Sequence, residues 1–77
     1  MDILIYTSPG CGYCHLAKAH LQRHKLPFRE IDLGREPDKA TEMIARSGRR
    51  TVPQIFVDGR PVGGYDDLVR LDPQSLA

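Results

Sequence analysis

The 77-residue sequence predicts an α/β fold, a four-stranded mixed sheet with three helices in the order β-α-β-α-β-β-α. Three observations point there. Short β-type runs alternate with stretches of helical periodicity, which is the signature of a layered α/β domain. The stretch between the first two runs, Gly12 to Pro27, is long enough for a right-handed parallel crossover. Two later runs flank Asp58-Gly59, a dipeptide that favours a type I′ hairpin turn.

The elements follow in order. Ile3-Leu4-Ile5-Tyr6 is a buried strand, ended by the Ser8-Pro9-Gly10 turn signals. From Cys11 to about His24 no proline intervenes, and Cys14, Ala17 and Leu21 recur on one helical face. Pro27 stops that helix, and Phe28 to Leu33 alternates apolar with polar residues in the period of a strand. Pro37 to Ser47 forms a second helix with Ala40, Met43, Ile44 and Ser47 on one side, Pro37 suiting its first turn and Gly48 its stop. Ile55-Phe56-Val57 and Pro61-Val62 make the hairpin, which Gly63-Gly64 interrupts. Tyr65 to about Asp72 closes the domain as a helix with Leu68, Val69 and Leu71 turned inward, and from Gln74 the tail is expected to be loose.

Length and composition bound what this fold can do. A chain of this size holds one domain, residues 1–77, near the lower limit for a single apolar core. Its hydrophobic fraction of 40% and charged fraction of 27% are those of a globular protein. A net charge of +1 offers no field for nucleic acid or an anionic membrane surface. The first apolar run is too short for a signal-peptide core or a membrane span, so a cytoplasmic protein is expected.

Chemistry concentrates at Cys11-Gly12-Tyr13-Cys14. A ring this small restrains the unfolded chain little, so structural stapling explains the pair poorly. At the junction of a strand and a helix, a C-x-x-C pair reads as redox-active. A thiolate there meets unpaired N–H groups and the positive end of the helix dipole. Lowering its pKa from about 8.5 to about 5 asks for roughly 5 kcal/mol of preference for the anion. The dipole supplies about 2 kcal/mol at most, leaving the rest to charge-assisted hydrogen bonds from the N–H groups of Tyr13 and Cys14. Cys11 is therefore the expected nucleophile. Cys14, one turn inward, is the expected resolving thiol, which attacks a mixed disulfide formed on Cys11.

Three other readings compete for these residues. Two buried cysteines without chemistry would not need this placement beside a turn. Cys11 to His15 matches the C-x-x-C-H pattern of covalent haem attachment, but that chemistry calls for a second axial ligand and is expected in exported proteins, whereas here no export signal is expected and the motif follows a strand. Zinc would use both cysteines with His20 and His24, which share a helix face at i, i+4, yet their headings do not converge on a tetrahedron. The bland reading of the three histidines is solvated helix residues.

Three signatures standing in sequence, Cys11 to Cys14, Thr51-Val52-Pro53 and Gly63-Gly64-Tyr65-Asp66-Asp67, together resemble those of a glutaredoxin. The resemblance runs along nearly the whole chain and implies the thioredoxin-like fold. It implies a glutathione-dependent disulfide oxidoreductase, with glutathione as co-substrate, no permanently bound cofactor, and glutathionylated or disulfide-bonded proteins as partners. On the same ground Pro53 takes a cis peptide bond, and Thr51, Val52 and Pro53 form one wall of a groove where an extended thiol peptide pairs as an added strand. Gly64, Tyr65, Asp66 and Asp67 form the second wall: helix-start N–H groups take the γ-glutamyl carboxylate, and either Asp receives the ammonium group or caps the helix. Tyr13 packs its ring along the bound tripeptide, whereas Tyr6 belongs to the core.

The chain departs from the family pattern twice. Many glutaredoxins carry Lys where Ser8 stands, leaving Arg46, Arg49 or Arg50 to meet the glycine carboxylate; weaker glutathione binding and a less acidic Cys11 are expected. Gly12 stands where proline is common, so the helix start loses a residue whose fixed φ suits it. Members lacking that proline include ones that assemble a [2Fe-2S] cluster between two subunits, which here would need Cys11 from each of two chains plus two glutathione thiols. The chain is expected to be a monomer, or a dimer if such a cluster is bound. A thioredoxin-like electron donor and a noncatalytic binding module complete the alternatives.

Overall fold

The computed structural model describes residues 1–76. Four strands, β1 (Ile3–Thr7), β2 (Arg29–Asp32), β3 (Gln54–Val57) and β4 (Arg60–Gly63), form one sheet in the order β2-β1-β3-β4. β1 and β2 are parallel, Leu4 opposite Arg29, whereas β3 runs antiparallel to both β1 and β4. The helices are α1 (Gly12–Arg23), α2 (Lys39–Ser47) and α3 (Tyr65–Val69), followed by a 3₁₀ turn at Pro73–Leu76.

Every residue of β1 is buried because both faces of the sheet are covered. Ile3 and Ile5 face one side with Ala17 and Leu21 of α1, Ile55 of β3 and Leu68 of α3. Leu4 and Tyr6 face the other with Met43 of α2 and Phe56. Full burial of a side chain such as Leu21 is worth about 1.5 to 3 kcal/mol, so the apolar stripe of α1 is its main stabiliser.

α1 ends without a glycine. Lys25 takes a left-handed φ of 57°, Lys25 N–H bonds the Gln22 carbonyl at 3.0 Å and Leu26 N–H bonds that of Leu21 at 2.9 Å. This is a Schellman closure, and it drops Leu26 into the core. The hairpin turn has φ of 50° at Asp58 and 82° at Gly59, both positive as type I′ requires. Pro61, which has no N–H to donate, sits on the edge strand β4.

Four expectations are corrected. Pro37 lies in a turn ahead of α2, whose N-cap is Asp38, because the chain first makes turn bonds from Lys39 to Glu36 and from Ala40 to Pro37. α3 stops at Val69 rather than near Asp72. Val69 is exposed, since only Leu68 of its turn points squarely at the sheet. From Gln74 to Leu76 the tail is held in a turn rather than loose, Ala77 lying outside the described residues: Asp72 accepts Gln74 N–H on its carboxylate and Ser75 N–H on its carbonyl, and the turn buries Leu76 to 6% exposure.

Candidate active site at the Cys11–Cys14 disulfide

The β1 strand delivers the chain through the Pro9-Gly10 turn to Cys11, which is the N-cap of α1. Its φ and ψ, −90° and 107°, are extended, so the residue stands just outside the helix with its side chain over the first turn. Cys11 Sγ accepts the Cys14 N–H at 3.1 Å and lies 3.8 Å from the Val52 carbonyl oxygen. Of the two donors expected from sequence, Cys14 makes this bond; among the described hydrogen bonds Tyr13 N–H does not. The two cysteines are joined as a disulfide with Cα atoms 5.2 Å apart, within the normal range for such a bridge.

Exposure separates the two cysteines. Cys11 is partly exposed, while Cys14 is 3% exposed and faces the sheet with Ala17 and Leu21. Of the two sulfurs, that of Cys11 is the more accessible.

Beside Cys11 runs a groove of about 290 Å³. Thr51, Val52 and Pro53 line one side, and the Val52-Pro53 peptide bond is cis. Gly64, Tyr65, Asp66 and Asp67 line the other, with Tyr13 at the cysteine end, 62% exposed and its ring centroid 6.0 Å from that of Tyr65. All eight residues expected to meet a substrate thus share one groove.

Asp67 caps α3. Its carboxylate accepts Gly64 N–H at 3.0 Å and meets Arg49 at 3.5 Å, and the Gly64 hydrogen bond, ahead of the Arg49 charge, holds its pKa below the usual carboxylate value. A Cβ at Gly63, whose φ is 120°, would collide with that same carboxylate. The first carbonyl bond of α3 runs from Leu68 N–H to Gly64, which leaves the N–H groups of Tyr65, Asp66 and Asp67 without helical partners.

Of the three arginines offered for the missing lysine, only Arg49 lines the groove. Arg46 is engaged elsewhere, donating to Tyr6 Oη at 3.2 Å with its guanidinium 4.4 Å from the centre of the Phe56 ring. Arg50, exposed, and Ser8, half-buried, both lie outside the lining. One lining residue escaped the sequence reading altogether: Gln54, which is 1% exposed at the start of β3. A polar residue directly after Pro53, ahead of the apolar Ile55-Phe56, was the available signal.

His15 is exposed, and the His20 and His24 rings meet edge-on at 4.7 Å. Burial, ahead of the neighbouring His24 and Arg23 charges, pushes the His20 pKa below its usual value. Among the described residues no three His, Cys, Asp or Glu side chains gather as a metal site.

The glutaredoxin family model matches residues 3–62. The chain belongs to the glutaredoxin family. Glutaredoxin 3 of Escherichia coli K12 is 49% identical over 74 residues, covering 96% of this chain and 89% of that protein. A glutaredoxin from Brucella melitensis, solved in solution, is 50% identical with a TM-score of 0.77 and covers 96% of this chain and 80% of its own. A buckwheat glutaredoxin solved in complex with glutathione is 27% identical with a TM-score of 0.81, covering 88% of this chain and 64% of that one. The four-stranded mixed sheet with three helices is accordingly the thioredoxin-like fold of glutaredoxins, and the Cys11–Cys14 pair is a dithiol active site for glutathione-dependent disulfide reduction. No helix among the described residues is long and apolar enough to cross a membrane.

Proposed function

We propose that Cys11 is the nucleophile and Cys14 the resolving thiol of a glutaredoxin that acts on glutathione mixed disulfides and on protein disulfides, as a cytoplasmic, single-domain monomer. The observation that carries this reading is the position of Cys11 Sγ, which accepts the Cys14 N–H at 3.1 Å and lies 3.8 Å from the carbonyl oxygen of Val52, a groove residue, while Cys14 is buried.

The chemistry then balances in two stages. The Cys11 thiolate attacks the glutathione sulfur of a mixed disulfide; a new S–S bond forms, the old one breaks, and the target leaves as a thiolate that takes a proton. A second glutathione thiolate then attacks the glutathione sulfur held on Cys11, giving glutathione disulfide and restoring the Cys11 thiolate. When Cys14 attacks Cys11 instead, glutathione is released and the pair closes into the disulfide seen in this structure. Two glutathione molecules reopen it.

In the groove, Val52 offers its backbone N–H and C=O as a strand edge for the cysteine residue of glutathione, and Tyr13 covers the peptide. The unpartnered N–H groups at Asp66 and Asp67 receive the γ-glutamyl carboxylate. Asp66, exposed and without an ion pair among the described contacts, takes the ammonium group, since the Asp67 carboxylate is committed to the Gly64 N–H as the cap of α3. Arg49 meets the glycine carboxylate in place of the lysine absent at Ser8.

A coupled assay with glutathione, glutathione reductase and a small mixed disulfide tests the assignment. Cys11→Ser is expected to abolish turnover. Cys14→Ser is expected to keep it on the mixed disulfide and lose reduction of protein disulfides. Equal loss in both variants on the mixed disulfide would refute the division of labour.

A further inference from the structure

The groove contains a polar side chain that core packing does not explain. Gln54 opens β3, opposite Tyr6 of β1, at a depth where its neighbours Ile55 and Phe56 are apolar. Only one of its amide atoms is engaged: Nε2 donates to Thr51 Oγ1 at 3.2 Å. Oε1 is buried with no partner among the described residues. Buried polar atoms are nearly always paired, so a side chain placed here for packing alone would be apolar.

We propose that Gln54 is a positioning residue of the groove, holding the Thr51 hydroxyl as a hydrogen-bond donor to a carboxylate of the bound thiol peptide. This rests on the glutathione reading above. A hydroxyl has one proton and two acceptor positions. Because Thr51 Oγ1 accepts from Gln54 Nε2, its own proton is free to point away from Gln54. Thr51 is exposed and lines the groove together with Arg49, so its hydroxyl and that guanidinium present one donor and one positive charge to the same stretch of ligand. The hydrogen bond also spans the Val52-Pro53 segment, from Thr51 before it to Gln54 after it, and so braces the strand edge that the peptide pairs with.

The test compares Gln54→Met, Gln54→Glu, Thr51→Val and the Thr51→Val/Gln54→Met double variant, with KM, kcat and thermal unfolding measured on each. Methionine fills the same space without an amide, so Gln54→Met is expected to raise KM for the glutathione mixed disulfide about threefold to tenfold, the size of one lost hydrogen bond, with kcat within about twofold and Tm unchanged or higher. Gln54→Glu reverses the bond, making the hydroxyl donate inward and adding a negative charge, and is expected to raise KM further. Thr51→Val, an exposed substitution that leaves folding intact, is expected to match Gln54→Met, and the double variant to add nothing beyond either. An unchanged KM in Gln54→Met, a lowered Tm with unchanged KM, or additivity in the double variant overturns the assignment. Wild-type saturation by glutathione separates this from the reading beneath it: with no saturation both fall, whereas a saturable wild type with an unmoved Gln54→Met removes the role of Gln54 alone.

Discussion

Replacing Gly12 by proline is expected to stabilise the protein. Gly12 is the first residue of α1, where a proline's missing N–H costs no helical bond and its fixed φ suits the helix. A Cβ built at this position meets no atom within 4 Å. The preceding residue is the usual obstacle, since proline excludes helical backbone before it; Cys11, at φ −90° and ψ 107°, is already extended. With the folded state undisturbed, the gain comes from the narrower unfolded ensemble, about 0.4 to 1 kcal/mol. For a domain of this size that corresponds to a rise in Tm of roughly 2 to 8 °C. Thermal unfolding of Gly12→Pro against wild type, each fully oxidised and fully reduced, measures it, and hydrogen exchange at the Tyr13 and Cys14 amides should slow in parallel. A lower Tm in both redox states would show that the Gly12 N–H or its freedom of φ is used in the native fold, refuting the argument.

Other outcomes follow from the same geometry. Gly63→Ala puts a Cβ at φ 120° against the Asp67 carboxylate and is expected to cost about 1 to 3 kcal/mol in urea unfolding while weakening glutathione binding through the displaced cap. Leu76→Ala empties a position in the α1-side core and is expected to cost about 2 kcal/mol, a loss that truncation after Asp72 should reproduce. Glu30 accepts Thr7 Oγ1 at 2.7 Å and pairs with Lys18 at 3.0 Å, and the hydroxyl bond, ahead of the ammonium, holds its carboxyl below the usual value of 4.5. A depressed carboxylate contributes stability above its unfolded pKa and loses it as pH falls through the folded one. Glu30→Gln should therefore be less stable than wild type at pH 7, with the difference closing below about pH 4.5 in denaturant titrations followed across pH. Ser8→Lys should lower KM for glutathione and shift the Cys11 thiolate titration to lower pH; unchanged values for both would refute the expectation that serine at this position weakens binding and leaves Cys11 less acidic.

Much of this molecule could be read from its residues, for reasons that can be named. The stripe of Cys14, Ala17 and Leu21 and the continuous apolar run of β1 report burial directly, because a helix facing a sheet and a central strand have distinct periods. The turn at Asp58-Gly59 was legible because few residues accept positive φ. The end of α1 was less so: Lys25 adopts a left-handed conformation that its type does not advertise, driven by the burial of Leu26 one residue later. The 3₁₀ turn has its own signal, Asp72 capping ahead of Pro73 with Leu76 one turn on. Within the groove, the choice among Arg46, Arg49 and Arg50 depended on how the chain leaves α2 at Gly48, and Gln54 on which face of β3 meets the loop before it. Both are tertiary facts. No spacing along the chain encodes them.

The groove's three walls come from segments near residues 13, 51 and 65, far apart along the chain. A disordered polypeptide cannot assemble such a cradle, so a tripeptide that occupies it favours the native ensemble by mass action. At a free concentration one hundred times its dissociation constant the occupant adds about 2.7 kcal/mol, a sizeable share of what so short a chain possesses. A tripeptide thiol held there would then act as a chaperone-like ballast for the fold, and its removal would leave the protein more open to proteolysis.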